Sequence, residues 1–130
     1  ITPTFEAHAA MHLEYVANRV DHARGTTNAA TSFPDLFMEL LSPGDISERA
    51  LRFHHGVARL LAAQLRAAAE AAETHTIGVT GGCALNRLLM RFLQDELADY
   101  HLLTHHHVPA NDGGLSLGQA VAGRRYASNQ

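Results

Sequence analysis

Several things are scarce in this chain. No apolar run approaches the roughly 20 residues needed to cross a bilayer, so a membrane-spanning protein is excluded. A single cysteine, Cys83, excludes an intramolecular disulfide and any CxxC zinc site. A reduced, cytoplasmic setting fits such sparse cysteine. Lysine is absent and every cation is arginine, which reads as genomic composition bias. The formal net charge is -3 and the pI is near 6.4. The basic footprint of a nucleic-acid binder is therefore missing, and no DNA partner is expected. An initiator methionine is lacking too. The chain opens at Ile1 without a signal-peptide pattern, so the expectation is that it begins partway along a longer gene product.

What is present suits a globular domain. The 130 residues are 46% apolar and 18% charged, enough for one domain that buries roughly two-thirds of its unfolded surface. Ten histidines stand out. With ordinary pKa values near ~6.5 they turn the net charge positive in mild acid, so solubility should depend on pH.

Periodicity predicts a helix over 4–24, capped by Thr4, with Glu6 in its first turn and a stripe of Ala9, His12, Leu13, Val16 and Val20. Gly25 to Asn28 ends it, and 25–33 is loop-like. Pro34 opens a short helix over 35–41, and Ser42-Pro43-Gly44 is a break. Asp45 then caps a long helix ending near Glu73, with Glu48 as its capping-box partner and Arg52 one turn beyond. Its expected stripe is Ile46, Ala50, Phe53, Val57, Leu60, Leu61, Gln64, Leu65 and Ala68. Residues 76–80 read as a strand, 84–99 as an amphipathic helix carrying Leu85, Leu88, Leu89, Phe92, Leu93 and Leu97, 102–105 as a second strand and 115–126 as a last helix. A helical crossover makes the strands parallel and right-handed. Two parallel strands do not make a stable sheet alone, so further strands are expected.

Each strand runs into a glycine-rich loop, Thr80 to Arg87 and Pro109 to Gly114. Parallel neighbours place both loops at the carboxyl edge, where open α/β sheets bind ligands. Each loop leads to a helix N-terminus, whose free N–H groups suit phosphate. Asn86, read as one turn into its helix, could hydrogen-bond a ribose or base. Asp112 could ligate a hard cation or orient a polar substrate. Turn and cap chemistry explains the same residues about equally well.

Gly81-Gly82-Cys83-Ala84-Leu85-Asn86-Arg87-Leu88-Leu89, followed by Val108-Pro109-Ala110-Asn111-Asp112-Gly113-Gly114-Leu115-Ser116-Leu117-Gly118-Gln119-Ala120, resembles the C-terminal signature of HypF-type carbamoyltransferases. Thr4 to Met11 and Arg52 to Ala58 extend the resemblance upstream, over nearly the whole chain. It implies a helix-dominated α/β fold, the C-terminal part of an actin-like, ribonuclease-H-like (TsaD-like) ATPase domain. Residues 1–44 would form a helical segment, and 45–130 the helix-strand-helix-strand-helix half of the nucleotide-binding fold. It implies hydrogenase maturation chemistry: carbamoyl phosphate and ATP yield carbamoyl-adenylate, whose carbamoyl group passes to a C-terminal cysteine of a HypE-type partner for cyanide-ligand synthesis. Carried over by position, Gly81, Gly82 and Asn86 would contact the nucleotide. Asp112 would ligate a divalent metal (iron, zinc or magnesium), and His54 would approach the substrate. The family's metal-binding HxxxH segment, acylphosphatase-like, zinc-finger and YrdC-like domains lie outside these residues. His8 stands where the family has Gln, and Cys83 where an apolar residue is usual. The expectation is a folded fragment, inactive alone.

Other clusters read more plainly. His8 and His12 have the i,i+4 spacing of a zinc pair but lie in the wrong segment, so they read as a partly exposed helical face. His105-His106-His107 marks a strand end and a solvated loop. His54 and His55 are expected to point one inward and one outward. Cys83 sits near a helix N-terminus, where a nucleophile is conceivable, but it reads as a small residue packed beside the glycines. Two further functions stay open: a non-catalytic module that docks a partner or itself through an exposed sheet edge, and a TsaD-like or O-carbamoyltransferase relative with another acceptor.

Overall fold

The computed structural model describes residue 5, residues 7–21 and residues 31–128. Thr4, Glu6 and most of the first loop lie outside these. The first helix, α1 (His8–Ala17), is shorter than the expected 4–24 span. Asn18 closes it by donating its side-chain N–H to the Glu14 carbonyl at 3.0 Å. Val16 and Ala17 are buried, and Leu13 and Val20 pack partly against the core. Ala9, placed in the apolar stripe, is exposed.

The second helix, α2 (Phe33–Leu41), starts two residues before Asp35 because Ser32 caps it. The Ser32 hydroxyl donates to Asp35 Oδ2 at 2.7 Å and accepts from Asp35 N at 3.3 Å. Pro34 falls in the first turn, where a missing N–H costs nothing.

The long helix, α3 (Ile46–Ala71), is capped as expected: Asp45 Oδ1 accepts from Ser47 N at 2.9 Å and Glu48 N at 3.0 Å. The Glu48 carboxylate turns towards Arg52, at 3.9 Å, and Arg52 Nε reaches Glu39 Oε1 of α2 at 2.9 Å. Arg49 donates to the carbonyls of Leu40 and Ser42, locking the α2–α3 corner. The helix ends at Ala71 rather than Glu73, and Glu73 itself adopts a positive φ of 51°.

The buried face of α3 agrees only in part with the expected stripe: Ala50 is in the core and Leu61 and Leu65 pack partly against it, but most of the face is built from other, smaller residues. Ser47, Ala50, Leu51, His54, Ala58, Ala62 and Ala69 are buried. Ile46 is 46% exposed, and Gln64 and Ala68 are exposed. Small residues win because α3 packs along α4 (Arg87–Glu96), whose Leu88, Phe92 and Leu93 fill the interface. Alanines let the two backbones approach while the bulk comes from one side. Phe53 instead meets Phe37 of α2, with ring centroids 5.3 Å apart.

Strands β1 (Thr76–Gly78) and β2 (His101–Leu103) are shorter than predicted. They pair in parallel, as expected, with Ile77 opposite Leu102. Val79 N to Leu103 O at 3.0 Å and His101 N to His75 O at 2.8 Å extend the ladder at its two ends. Ile77 joins the core formed by α1, α3 and α4. The last helix, α5 (Leu115–Ser128), buries none of its described residues, and Leu115, Leu117, Val121 and Tyr126 are all exposed. The fold is helix-dominated α/β with one two-stranded parallel sheet among the described residues. No helix among them is long and apolar enough to cross a membrane.

Candidate functional site

The loop after β1 turns at Gly81, whose φ of 99° suits glycine. A 3₁₀ turn, Gly82–Leu85, then precedes α4. Helix α4 therefore begins later than residue 84. Asn86, expected one turn inside the helix, is its N-cap. Leu85, expected in the apolar stripe, is exposed on the turn.

This changes what the helix can offer a ligand. Asn86 Oδ1 accepts from Leu89 N at 2.8 Å, and the Asn86 carbonyl from Met90 N at 3.0 Å. Glu14 of α1 reaches across, its Oε1 accepting from Arg87 N at 2.8 Å and Leu88 N at 3.2 Å. The first-turn donors of α4 already have acceptors. The expected phosphate cradle of free N–H groups is not at this terminus, because a carboxylate of the same chain occupies it. Glu14 escaped sequence reasoning; it lies 73 residues from its partner, and nothing around it marks a cap.

His54 is 5% exposed. Its Nδ1 lies 2.7 Å from the Ala50 carbonyl and its Nε2 lies 3.0 Å from Asn86 Nδ2. Burial pushes its pKa below the usual histidine value; the bond to Ala50 and the Glu14 charge oppose this. His55 does not point away from the protein as expected. It stands edge-on to Phe92, with centroids 5.1 Å apart, and its Nε2 is 3.4 Å from Glu96 Oε1. Packing of α4 along α3 covers both histidine directions.

The two glycine loops meet. Gly81 N donates to the Ala110 carbonyl at 2.8 Å, and Thr80 Oγ1 donates to the same oxygen at 3.2 Å. His105 Nε2 lies 3.0 Å from Thr80 Oγ1, so this exposed histidine also ties β2's end to the first loop. In the second loop Asn111 Oδ1 accepts from Gly113 N at 3.1 Å. A Cβ on Gly114 would sit 2.8 Å from the Pro109 carbonyl, so that position requires glycine. Asp112 is exposed at the start of the 3₁₀ turn Asp112–Gly114, which feeds α5.

Between the loops lies an open groove of about 390 Å³, walled by Thr80, Gly81, His105, Asn111, Asp112 and Gln119 among others. A second hollow of about 260 Å³, lined by Val79, Leu85, Met90 and Val108, shares His105 and Ala110 with it. Of the residues singled out from sequence, Gly81 and Asp112 share the larger groove. Gly82 follows Gly81 and begins the 3₁₀ turn, and Asn86 and His54, hydrogen-bonded to each other, do not line the groove. Among the described residues no three His, Cys, Asp or Glu side chains converge on one point, so Asp112 supplies a single carboxylate and not a metal cage. Cys83 follows Gly82 in the turn, as expected beside the glycines, but it is exposed rather than packed.

The fold and the motifs together define the class. Residues 2–119 match the family model described as carbamoyltransferase, Kae1-like domain, second subdomain, and the chain belongs to that family. It is 36% identical over 129 residues to "Carbamoyltransferase HypF" of Rhodobacter capsulatus, covering 97% of this chain and 18% of that protein. It is 32% identical over 126 residues to "Carbamoyltransferase HypF2" of Cupriavidus necator, covering 85% of this chain and 16% of that one. The crystal structure of T. kodakarensis HypF superposes with a TM-score of 0.74 at 22% identity, over 96% of this chain and 18% of that one, and shares its fold. The chain thus spans less than a fifth of the length of these relatives.

Proposed function

We propose that this chain supplies one wall of a nucleotide site in a carbamoyltransferase, with carbamoyl-adenylate held in the groove between the two glycine loops. The observation that carries this reading is the Gly81 N to Ala110 O bond, which joins the loops and sets Gly81 and Asp112 around one cavity. Its volume, about 390 Å³, falls in the range of small-ligand sites. Backbone at Gly81 and Gly82 can approach a phosphate closely, and Asn86 would contact the nucleotide.

In the transfer step a cysteine thiolate of a HypE-type acceptor would attack the carbamoyl carbon. A C–S bond forms, the C–O bond to the adenylate phosphate breaks, and AMP leaves. ATP and carbamoyl phosphate would be consumed upstream to make the adenylate. A divalent metal would polarise the carbamoyl carbonyl as a Lewis acid. Asp112 fits as one ligand, and the others would come from outside the described residues. A free thiolate acceptor suits a reducing cytoplasm.

Calorimetry with ATP and with carbamoyl-adenylate tests the site. Asn86→Ala and Asp112→Ala should each weaken binding about tenfold, the effect of removing one charged or buried hydrogen-bond partner. Unaltered affinity in both variants would sink the assignment. No carbamoyl transfer is expected from the 130 residues alone.

A second reading is an interaction module. It is favoured by a sheet with no third strand among the described residues and by the uncovered α5. A monomeric elution profile at high concentration would count against self-association.

A further inference from the structure

His54 and Asn86 define each other's chemistry, and the assignment follows step by step. The Ala50 carbonyl can only accept, so at 2.7 Å the His54 Nδ1 must carry a proton. The ring is buried, and burial favours its neutral form. A neutral ring protonated at Nδ1 has a bare Nε2, which can only accept. The Asn86 atom 3.0 Å away must then be the amide nitrogen. That orientation turns Asn86 Oδ1 onto Leu89 N, where it is found at 2.8 Å. Three hydrogen bonds thus agree on one tautomer and one amide orientation.

We propose that His54 is a positioning residue: as a neutral acceptor it holds the Asn86 amide in the one orientation that caps α4 and leaves the second Asn86 N–H for a ligand. This rests on the reading that Asn86 touches the nucleotide. Asn86 has two amide protons and two lone pairs. Among the described residues His54 takes one proton and Leu89 N one lone pair, so one of each remains. Reversing the amide would place two donors together at Leu89 and two acceptors together at His54 Nε2, and would leave Leu89 N without its cap. Both ring nitrogens of His54 are engaged inside the protein, which leaves neither for proton transfer to a substrate.

Two substitutions separate the ring's two roles. His54→Gln can keep an oxygen acceptor near the Nε2 position. His54→Asn can keep a donor near the Nδ1 position but removes the acceptor. In calorimetry with ATP, His54→Gln should bind within about twofold of the parent and His54→Asn about tenfold more weakly. Equal affinity of the two variants, both folded by circular dichroism, overturns the proposal. Nitrogen-15 NMR gives an independent readout on the parent chain. It should show His54 protonated at Nδ1 and bare at Nε2 at neutral pH, with the Nε2 signal changing in Asn86→Ala. A ring protonated at Nε2 overturns the proposal. If Asn86→Ala binds ATP like the parent, the nucleotide reading fails, and the tautomer together with α4 amide protection in His54→Asn against His54→Gln decides the positioning claim by itself.

Discussion

Two halves of this molecule are built to different standards. The helices α1, α3 and α4 form a closed platform: Ala17, Ala50, Ala58 and Ala62 are fully buried, Leu97 nearly so, Glu14 of α1 caps the α4 terminus, and His54 of α3 bonds its N-cap residue Asn86. The segment from His105 to Ser128 has no buried residue. It is tied to the first loop by bonds from Gly81 N and Thr80 Oγ1 to Ala110 and between His105 and Thr80, and its helix presents Leu115, Leu117, Val121 and Tyr126 to the outside. The candidate groove lies at their junction, with Gly81 on the platform side and Asp112 on the open side. One wall is anchored by a core, and the other by those few hydrogen bonds between loops. A site divided in this way can keep one face rigid while the other adapts to whatever packs on α5.

The contrast can be broken at its strongest point first. Phe92→Ala should remove about 3–5 kcal/mol of stability, since it empties the α3–α4 interface. Chemical denaturation measures this, and a loss below about 1 kcal/mol would show that the platform is not the core. A smaller effect comes from acid. His54 is neutral in the fold with its pKa depressed, whereas the unfolded chain takes up a proton near the ordinary value of 6.5. Its contribution is therefore present above that pH and is lost as the pH falls through and below it. His54→Gln should flatten the acid limb of stability plotted against pH; an unchanged limb would place the sensitivity elsewhere. The smallest effect belongs to α5. Val121→Ser should change stability by no more than about 0.5 kcal/mol, because the side chain is already half exposed. A larger loss in thermal melts would mean that α5 is covered in solution.

Local features are legible in the sequence. Asp45 caps α3, Pro34 sits at the start of α2, and the Gly81 and Gly114 turns fall where glycine is required. The parallel pairing followed from element order, and the two loop motifs pointed to the carbamoyltransferase family. The buried face of α3 is legible only in part: Ala50, Leu61 and Leu65 lie in or against the core, but apolar size favours Phe53 and Leu60 while close helix approach favours Ala58 and Ala62. The position of Asn86 at the N-cap rather than inside α4 is not legible, because a 3₁₀ turn and a first helical turn look alike in composition.

Sequence alone determined the elements, the turns and the family, since each rests on preferences set within a few neighbouring residues or on a motif that is read directly. Tertiary structure alone decided what the motif residues do. Whether Asn86 caps a helix, whether Glu14 occupies the α4 terminus and whether His54 meets solvent all depend on how α1 and α3 pack beside a helix dozens of residues away. Hydrogen bonds over such separations are set by packing, and no local pattern in the chain encodes them.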